Sequence, residues 1–248
     1  MINYAVWDLS VYDVLLLAAA CGGAGTAVGW LFYDSPAMGL AGAFLLFFFT
    51  KPRYVRWCIH RRQHILLLQF RDVLYSVASG VSAGRSLGQA LEESVSFWAG
   101  TYSQKDLMMA ELETMTRRMK EAGEQDVEVL RDFAGRSGLP EVADFVMVCE
   151  NCRQSGADLV KAIDRAAAVI GDRIALEKEL AALMAQKQFE GRIIMAAPFL
   201  LMAFLKISSP GFLDPLTASF QGYMVSSLAL GLILAAVVMM ERVNRLAF

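Results

Sequence analysis

Residues 82–91 read Ser-Ala-Gly-Arg-Ser-Leu-Gly-Gln-Ala-Leu, a composition typical of a sharp corner between two helices. Glycine reaches the left-handed backbone conformation without strain, so Gly84 is suited to end the first helix. Ser86 and Gln89 stand three residues apart, which is the spacing of a capping box at a helix start. The stretch therefore predicts one helix that ends near residue 82 and a second that begins near residue 86.

The corner recurs along the chain at a constant offset of 72 residues, which carries Gly84 onto Gly156 and Ser86 onto Asp158. A weaker copy at Gly123 keeps only the glycine and an aliphatic residue seven positions on. One glycine corner is common in any helical bundle, but two copies in register indicate an internal repeat. The predicted corner residues are Gly84, Ser86, Leu87, Ala90, Gly123, Gly156, Asp158, Leu159 and Ala162.

The region around these corners has apolar residues at helical spacing, as in Phe70, Val73 and Val77, and lacks the alternation of a strand. Glycine and proline corners divide the region into separate helices. These helices are predicted near 63–82, 86–99, 103–122, 126–137, 139–154 and 158–192. We therefore expect an all-α, six-helix bundle built from two three-helix repeats.

Charge is concentrated in the middle of the chain. Although 56% of the residues are apolar, 20 of the 23 Lys and Arg and 20 of the 25 Asp and Glu lie between Lys51 and Arg192. This balance argues against nucleic-acid binding, which needs a strong positive field. The composition predicts three domains: a membrane region at 1–52, a water-facing helical domain at 53–192 and a second membrane region at 193–248.

Four apolar runs are predicted to cross a membrane, in an integral membrane protein with about four transmembrane helices. A spanning helix needs about 20 apolar residues, and one of the runs, 37–50, is short for that. The predicted spans are 14–33, 37–50, 193–206 and 223–240. Lys206 is a charge at the end of one span, where its long side chain can reach the interface.

Small residues in the first span predict close helix packing. Gly25 and Gly29 form a GxxxG pattern, and Gly22 lies one turn before it. Such patterns let two helix backbones approach closely, because no side chain separates them. We expect this face to pack on a neighbouring helix, most readily the next one in the same chain.

A basic cluster follows the second run and sets the predicted orientation. Its members, with no acidic residue among them, are Lys51, Arg53, Arg56, Arg61 and Arg62. Positive flanks stay in the cytoplasm, so the N- and C-termini and the central domain are all expected there. Attraction to anionic headgroups makes membrane lipids the expected partner of this cluster.

No catalytic constellation is visible. Cys149 and Cys152 form a CxxC inside a predicted helix, without the second ligand pair that zinc needs, so neither receives a role. The chain has two histidines and no phosphate-binding loop for ATP. We expect neither enzymatic activity nor a cofactor or metal.

The order of these parts resembles the integral membrane platform proteins of type II secretion and type IV pilus machines. The resembling family is the type II secretion system F domain, and within it the TadB/TadC group of tight-adherence pili. The resemblance covers about Arg61 to the C-terminus and rests on the corners at Gly84 and Gly156 and on the Glu190-Gly191-Arg192 segment before a span. It also includes residues 210–222 between the last two spans.

The resemblance implies a multi-pass protein of the bacterial or archaeal cytoplasmic (inner) membrane. Such platform proteins oligomerise, and the implied partners are a cytoplasmic secretion or pilus ATPase, a second platform protein or a further copy of the chain, and pilin subunits. The implied function is to couple the ATPase to the insertion or extraction of pilins during pilus assembly or protein secretion.

Two other functions are compatible with parts of the sequence. A membrane-anchored helical scaffold or signalling protein would have the same architecture, but it does not require the repeat. A channel or transporter subunit would carry ionisable residues through its spans, and the interiors of these runs have none.

Overall fold

The computed structural model describes residues 4, 9–103, 106–155, 158–209, 211–213 and 219–245, and every regular element in these ranges is an α-helix. The all-α class predicted from the sequence is therefore confirmed. In chain order the helices are α1 (Val11–Tyr33), α2 (Pro36–Ser82), α3 (Leu87–Trp98), α4 (Leu107–Glu121), α5 (Asp126–Ser137), α6 (Pro140–Ser155), α7 (Leu159–Ser208) and α8 (Phe220–Arg245).

Contacts divide the chain into two compact units. The bundle unit contains Tyr4 and Val55–Lys178, and the apolar unit contains Leu9–Tyr54 and the described residues from Glu179 onward. Helices α2 and α7 contribute residues to both units. The domain boundaries predicted at 52/53 and 192/193 remain predictions.

The bundle unit has six helical segments, formed by the second part of α2, by α3 to α6 and by the first part of α7. Two boundaries differ from the sequence prediction. The last segment does not end near residue 192, because α7 continues to Ser208. The first segment does not begin near residue 63, because α2 is a single helix of 47 residues that starts at Pro36. Pro52 lies inside it. A proline in a helix loses one backbone hydrogen bond, but the turns on either side can continue the helix.

The internal repeat relates α3 to α7. Gly84 lies between α2 and α3, and Gly123 lies between α4 and α5. The offset of 72 residues carries Leu87, the first residue of α3, onto Leu159, the first residue of α7. Two three-helix repeats would instead relate α3 to α6. The offset therefore spans four helices, and the grouping into two three-helix repeats stays a prediction.

An apolar core fills the bundle unit. On α2, Leu66, Phe70 and Val77 are at most 1% exposed and recur at helical spacing. The ring of Phe70 lies 6.0 Å from that of Phe133 on α5 and 5.6 Å from that of Phe145 on α6. Each fully buried side chain of this size contributes roughly 1.5–3 kcal/mol of hydrophobic stabilisation.

Three helices in the described part of the chain are long and apolar enough to cross a membrane: α1, α7 and residues 220–239 of α8. Three of the four predicted spans lie on these helices. The fourth, 37–50, is not among them, since it forms the start of α2 and is followed at once by Lys51 and Arg53. The structure therefore supports a helical protein with three candidate membrane spans.

Candidate functional site

The corner at Gly84 has the local geometry that the sequence predicts. Gly84 has a φ of 87°, in the left-handed region. The Arg85 N–H donates to the Gly80 carbonyl at 3.1 Å, which closes the end of α2. In the capping box, the Gln89 N–H donates to Ser86 Oγ at 3.3 Å and the Ser86 N–H donates to Gln89 Oε1 at 3.1 Å.

The corner brings α2 and α3 into close contact. A Cβ added to Gly80 would lie 2.9 Å from the Ala90 Cβ, so only glycine fits there without movement. Leu87 and Ala90 are 6% and 1% exposed and belong to the core. Two of the predicted corner residues therefore act in packing.

The other corners are preserved in part. Gly123 has a φ of 65°, again left-handed, whereas Gly156 lies outside the described residues. Asp158 Oδ1 accepts the N–H groups of Val160 (3.1 Å) and Lys161 (3.3 Å), so it caps α7 as Ser86 caps α3. Hydrogen bonds from Lys161 hold the pKa of Asp158 below its usual value. Leu159 and Ala162 are half-buried.

A groove of about 840 Å³ lies beside the Gly84 corner, between α2 and α3. Two of its aromatic side chains are exposed, Tyr75 at 49% and Phe97 at 68%. In its wall, Ser76 Oγ and Ser94 Oγ are 2.7 Å apart, and Trp98 Nε1 donates to Ser76 Oγ at 3.2 Å. Arg85 and Glu93 are the charged residues that line the groove.

Two aspartates at equivalent positions of the sequence repeat lie in different environments. Asp72 accepts a hydrogen bond of 2.6 Å from the Tyr102 hydroxyl, whereas Asp144, its equivalent at the offset of 72, is exposed. Burial, together with the bond to Asp72, raises the pKa of Tyr102 to about 12. The hydroxyl therefore stays protonated and ties the α3–α4 loop to α2.

A buried polar cluster in the bundle unit was not predicted from the sequence. Its centre is Glu111 on α4, which is 4% exposed. Arg136 on α5 donates to both of its carboxylate oxygens, at 2.8 and 2.7 Å, and the Tyr4 hydroxyl donates to Oε1 at 2.9 Å. The hydrogen bonds to Glu111 raise the pKa of Arg136, so the guanidinium stays charged. A sequence signal did exist, because Glu111 interrupts the apolar stripe of Met108, Leu112 and Met115.

Both the side chain and the backbone of Tyr4 are held by residues of the bundle unit. Its side chain is 0% exposed, and its N–H donates to the Arg136 carbonyl at 2.9 Å. The Arg62 guanidinium lies 4.7 Å from the centre of its ring, which is a cation–π contact. Burial, with the Glu111 charge as a second cause, raises the pKa of the Tyr4 hydroxyl. Tyr4 is thus held firmly in the bundle unit.

The members of the predicted basic cluster differ in exposure. Lys51, Arg53 and Arg56 are exposed, and Arg61 is exposed with its guanidinium 5.3 Å from the Trp57 ring centre. Arg62 instead lies against Tyr4. His64 Nδ1 lies 3.6 Å from a Glu177 carboxylate oxygen. Contact of the cluster with lipid headgroups stays a prediction.

The two cysteines of the CxxC differ in environment. Cys149 is 2% exposed, and burial raises the pKa of its thiol to about 12, so it stays protonated and unreactive at neutral pH. Cys152 is half-buried, and both thiols are free. No group of three or more potential metal ligands occurs within the described ranges.

In the apolar unit, small residues pack α1 against the start of α2. A Cβ added to Gly29 would lie 2.3 Å from the Gly39 Cα, and one added to Gly25 would lie 2.5 Å from the Ala43 Cβ. The predicted packing onto the next helix is therefore present at these two positions. Gly22 is different, since an added Cβ would have nothing within 4 Å.

Lys206, the unexpected charge at the end of a predicted span, has specific partners in the apolar unit. Its Nζ lies 2.8 Å from Asp34 Oδ1, donates to the Trp30 carbonyl and lies 4.3 Å from the centre of the Trp30 ring. Nearby, the Tyr33 ring stacks on that of Tyr223 on α8 at 6.1 Å. The positive charge of Lys206 is therefore paired with the carboxylate of Asp34. These contacts hold the ends of α1 and α7 together.

No family model, no curated protein and no solved structure matches this chain. The residues described above define an all-α protein with a bundle unit that has an apolar core, and with three helices long and apolar enough to cross a membrane.

Proposed function

We propose that this chain is a non-enzymatic platform protein of the cytoplasmic membrane in a Tad-like type IV pilus or type II secretion machine. In this role it couples a cytoplasmic assembly ATPase to the insertion or extraction of pilin subunits. The proposal rests on the resemblance described above and on one structural observation, the continuity of α7. This helix is unbroken over 50 residues.

The continuity of α7 supports a mechanical role. Its first turns lie in the core of the bundle unit, where Ile163 and Ile174 are 0% and 1% exposed. Its last turns are the apolar segment predicted as the third span. Coupling between two distant sites needs a rigid element that connects them and can take two arrangements. As an unbroken helix, α7 is rigid enough to transmit a tilt or rotation from the bundle unit to the proposed span.

A four-span topology is part of the proposal. The tight contact of Gly25 and Gly29 with Gly39 and Ala43 favours residues 36–50 as the partner of α1 within the bilayer. A short span can be accommodated by local thinning of the membrane. The exposed Lys51, Arg53 and Arg56 then contact lipid headgroups on the cytoplasmic side.

The proposed protein partners are the ATPase, pilins and a second platform protein or another copy of the chain. The corner groove beside Gly84 is suited to a protein partner, because it combines exposed aromatic side chains with hydroxyl groups and a charged rim. Arg85 and Glu93 form that rim, with a distance of 3.2 Å between Nη2 and Oε1. Binding of nucleic acid is not part of this proposal.

A helix-breaking substitution tests the mechanical role. Residues 186–188 are Gln-Lys-Gln, and replacing all three with glycine should abolish pilus assembly or secretion in the native host. The matched control replaces the same three with alanine, which removes the same side chains but keeps helix propensity higher by about 1 kcal/mol per residue. Equal assembly by the two variants, with equal membrane levels, would refute the mechanical role.

The partners are tested by purification. The tagged chain is extracted from its native membrane in mild detergent, and the copurifying proteins are identified by mass spectrometry. A secretion-type ATPase, a second platform protein or pilins would support the proposal. Recovery of signalling components would favour the membrane-anchored scaffold, and recovery of transporter components would favour the channel or transporter subunit.

A further inference from the structure

A cleft lies between α1 and the first part of α2, in the apolar unit, and we call it the hairpin cleft. Its volume is about 520 Å³. Binding sites for small molecules in proteins have volumes of about 300–1,000 Å³, so the cleft is large enough to hold one. Its apolar lining residues are Leu16, Leu17, Ala20, Cys21, Ala24 and Leu46. Its polar lining residues are Asp13, Thr50 and Tyr54.

The polar residues lie at one end of the hairpin cleft, where both apolar runs end. Asp13 comes directly before the uncharged run 14–33. Thr50 is the last residue of the uncharged run 37–50, and Lys51 follows it. In a membrane, the ends of such runs mark the level at which hydrocarbon gives way to headgroups. The hairpin cleft therefore extends from the headgroup level into the hydrocarbon.

The length of the hairpin cleft matches one leaflet of a bilayer. From Asp13 to Ala24, α1 rises by about 16 Å, and half of the hydrocarbon core is about 15 Å thick. The cleft ends where the helices meet, since a Cβ added to Gly25, the residue after Ala24, would lie 2.5 Å from the Ala43 Cβ. A lipid acyl chain suits this lining, whereas an extended peptide would leave its N–H and C=O groups unpaired there.

The charge at the polar end indicates which headgroup fits. Asp13 is the one charged residue among the described residues that line the hairpin cleft. Its Oδ2 accepts the Ser10 N–H at 3.3 Å, and a carboxylate can accept further hydrogen bonds. The start of α1 carries roughly half a positive charge, which is less than the full negative charge of Asp13. A headgroup with an ammonium group is therefore favoured.

Two basic residues beside the polar end can hold the phosphate of the same lipid. Lys51 lies three residues before Tyr54, and both face the same part of the surface of α2. Arg53 lies three residues after Thr50 in the same way. The side chains of Lys51 and Arg53 are exposed. A zwitterionic headgroup matches this pattern, with its ammonium on the carboxylate and its phosphate on the basic residues.

We propose that the hairpin cleft binds one phospholipid of the phosphatidylethanolamine class. Its acyl chain lies along Ala20 and Ala24, and its primary ammonium donates to the Asp13 carboxylate. This inference rests on the proposed function, because the hairpin must be inserted in a membrane. It goes beyond attraction of the basic cluster to anionic headgroups, since it assigns one site and one headgroup.

Native mass spectrometry of the purified full chain in mild detergent tests the site. The chain is titrated with dioleoyl phosphatidylethanolamine or with dioleoyl phosphatidylglycerol, which lacks the ammonium. The first should bind about tenfold more tightly, as expected for a hydrogen bond between charged groups. Equal affinities, or tighter binding of phosphatidylglycerol, would overturn the proposal.

A bulky side chain in the hairpin cleft tests where the lipid lies. Ala20→Phe fills the cleft and should weaken binding of phosphatidylethanolamine by about tenfold. The matched control is Ala18→Phe, which lies two residues away and is rotated by about 200°. Circular dichroism verifies that both variants remain helical. An equal affinity of the two variants would show that the lipid binds elsewhere.

Asp13→Asn tests the headgroup without filling the hairpin cleft, so it decides even if Ala20→Phe fails to fold. Asparagine keeps an oxygen that accepts the Ser10 N–H, but it has no charge. The affinities for the two phospholipids should then agree within about twofold. A preference for phosphatidylethanolamine that survives in this variant would exclude Asp13 as its cause.

Photolabelling in vesicles tests the acyl chain without detergent. The vesicles contain both phospholipids and a trace of phosphatidylethanolamine whose acyl chain carries a diazirine. After illumination, peptide mass spectrometry should find the label within residues 16–24 of the unmodified chain, and Ala20→Phe should reduce it to background. Equal labelling of the two proteins, or label only outside the lining of the hairpin cleft, would contradict the site.

Failure of this inference is distinguishable from failure of the proposed function. The native membranes are washed at alkaline pH before the chain is extracted, which removes proteins that are not inserted. A chain that is washed away contradicts the membrane platform itself. A chain that stays in the membrane but binds the two phospholipids equally contradicts only the lipid site.

Discussion

At the scale of single residues, Tyr4 and Glu111 show how a polar group is kept inside an apolar bundle. A buried carboxylate is costly unless its hydrogen bonds are made, and Glu111 receives them from Arg136 and from the Tyr4 hydroxyl. The cation–π contact of Arg62 holds the tyrosine ring in place. Tyr4 is thus joined to the bundle unit by a few strong contacts.

Replacing Tyr4 with phenylalanine tests this anchor. The ring still fills its space, but Glu111 loses a donor and remains buried, so we expect unfolding stability to fall by about 1–3 kcal/mol. The fall is measured as a lower urea midpoint of the purified protein. The matched control is Tyr12→Phe, at a tyrosine that is 79% exposed. Equal midpoints for the two variants would mean that the hydroxyl of Tyr4 contributes nothing.

At the scale of elements, the contact between α1 and the first part of α2 depends on two glycines. The Cβ that any other residue would add at Gly29 would lie 2.3 Å from a backbone atom of Gly39. A backbone atom cannot move aside as a side chain can, so the helices would have to separate. The GxxxG pattern thus packs two helices of the same chain against each other.

Gly29→Leu is expected to lower the thermal midpoint of the detergent-solubilised protein, because overpacking costs about 1–3 kcal/mol or more. Gly22→Leu is the matched control. It places the same side chain on the same helix, at a position where an added Cβ has nothing within 4 Å. The packing interpretation fails if both substitutions lower the midpoint equally.

At the scale of the whole molecule, the open question is how many helices cross the membrane. Three helices are long and apolar enough by themselves, and the run at 37–50 is short. Its tight packing on α1 favours a hairpin that crosses and returns. If residues 37–50 cross the membrane, Ser35 and Lys51 lie on opposite sides of it. If these residues do not cross, the two positions lie on the same side.

Labelling of single cysteines tests the four-span topology. With four spans, Ser35→Cys should react with an impermeant maleimide added to intact cells, and Lys51→Cys should react only after the membrane is permeabilised. The unmodified chain provides the background of the native cysteines. Reaction of both variants in intact cells, or of neither, would show that residues 37–50 do not cross.

By itself the sequence determined the features that depend on local chemistry. The left-handed glycine at 84, the capping box that follows it and the helical periodicity are set by residues a few positions apart, so they could be predicted without knowledge of the fold. The same holds for the long apolar runs of α1, α7 and α8. These features fixed the all-α class and most of the helix ends in the bundle unit.

Features that depend on residues far apart in the chain became visible only in the folded protein. Tyr4 meets Glu111 across 107 positions, and Lys206 meets Asp34 across 172. The choice of Gly25 and Gly29 over Gly22 depends on where α2 passes, and the exposed side of α7 depends on which side the core has already covered. A linear sequence gives the helices and their apolar faces, but the partner of each face is fixed only when the helices pack.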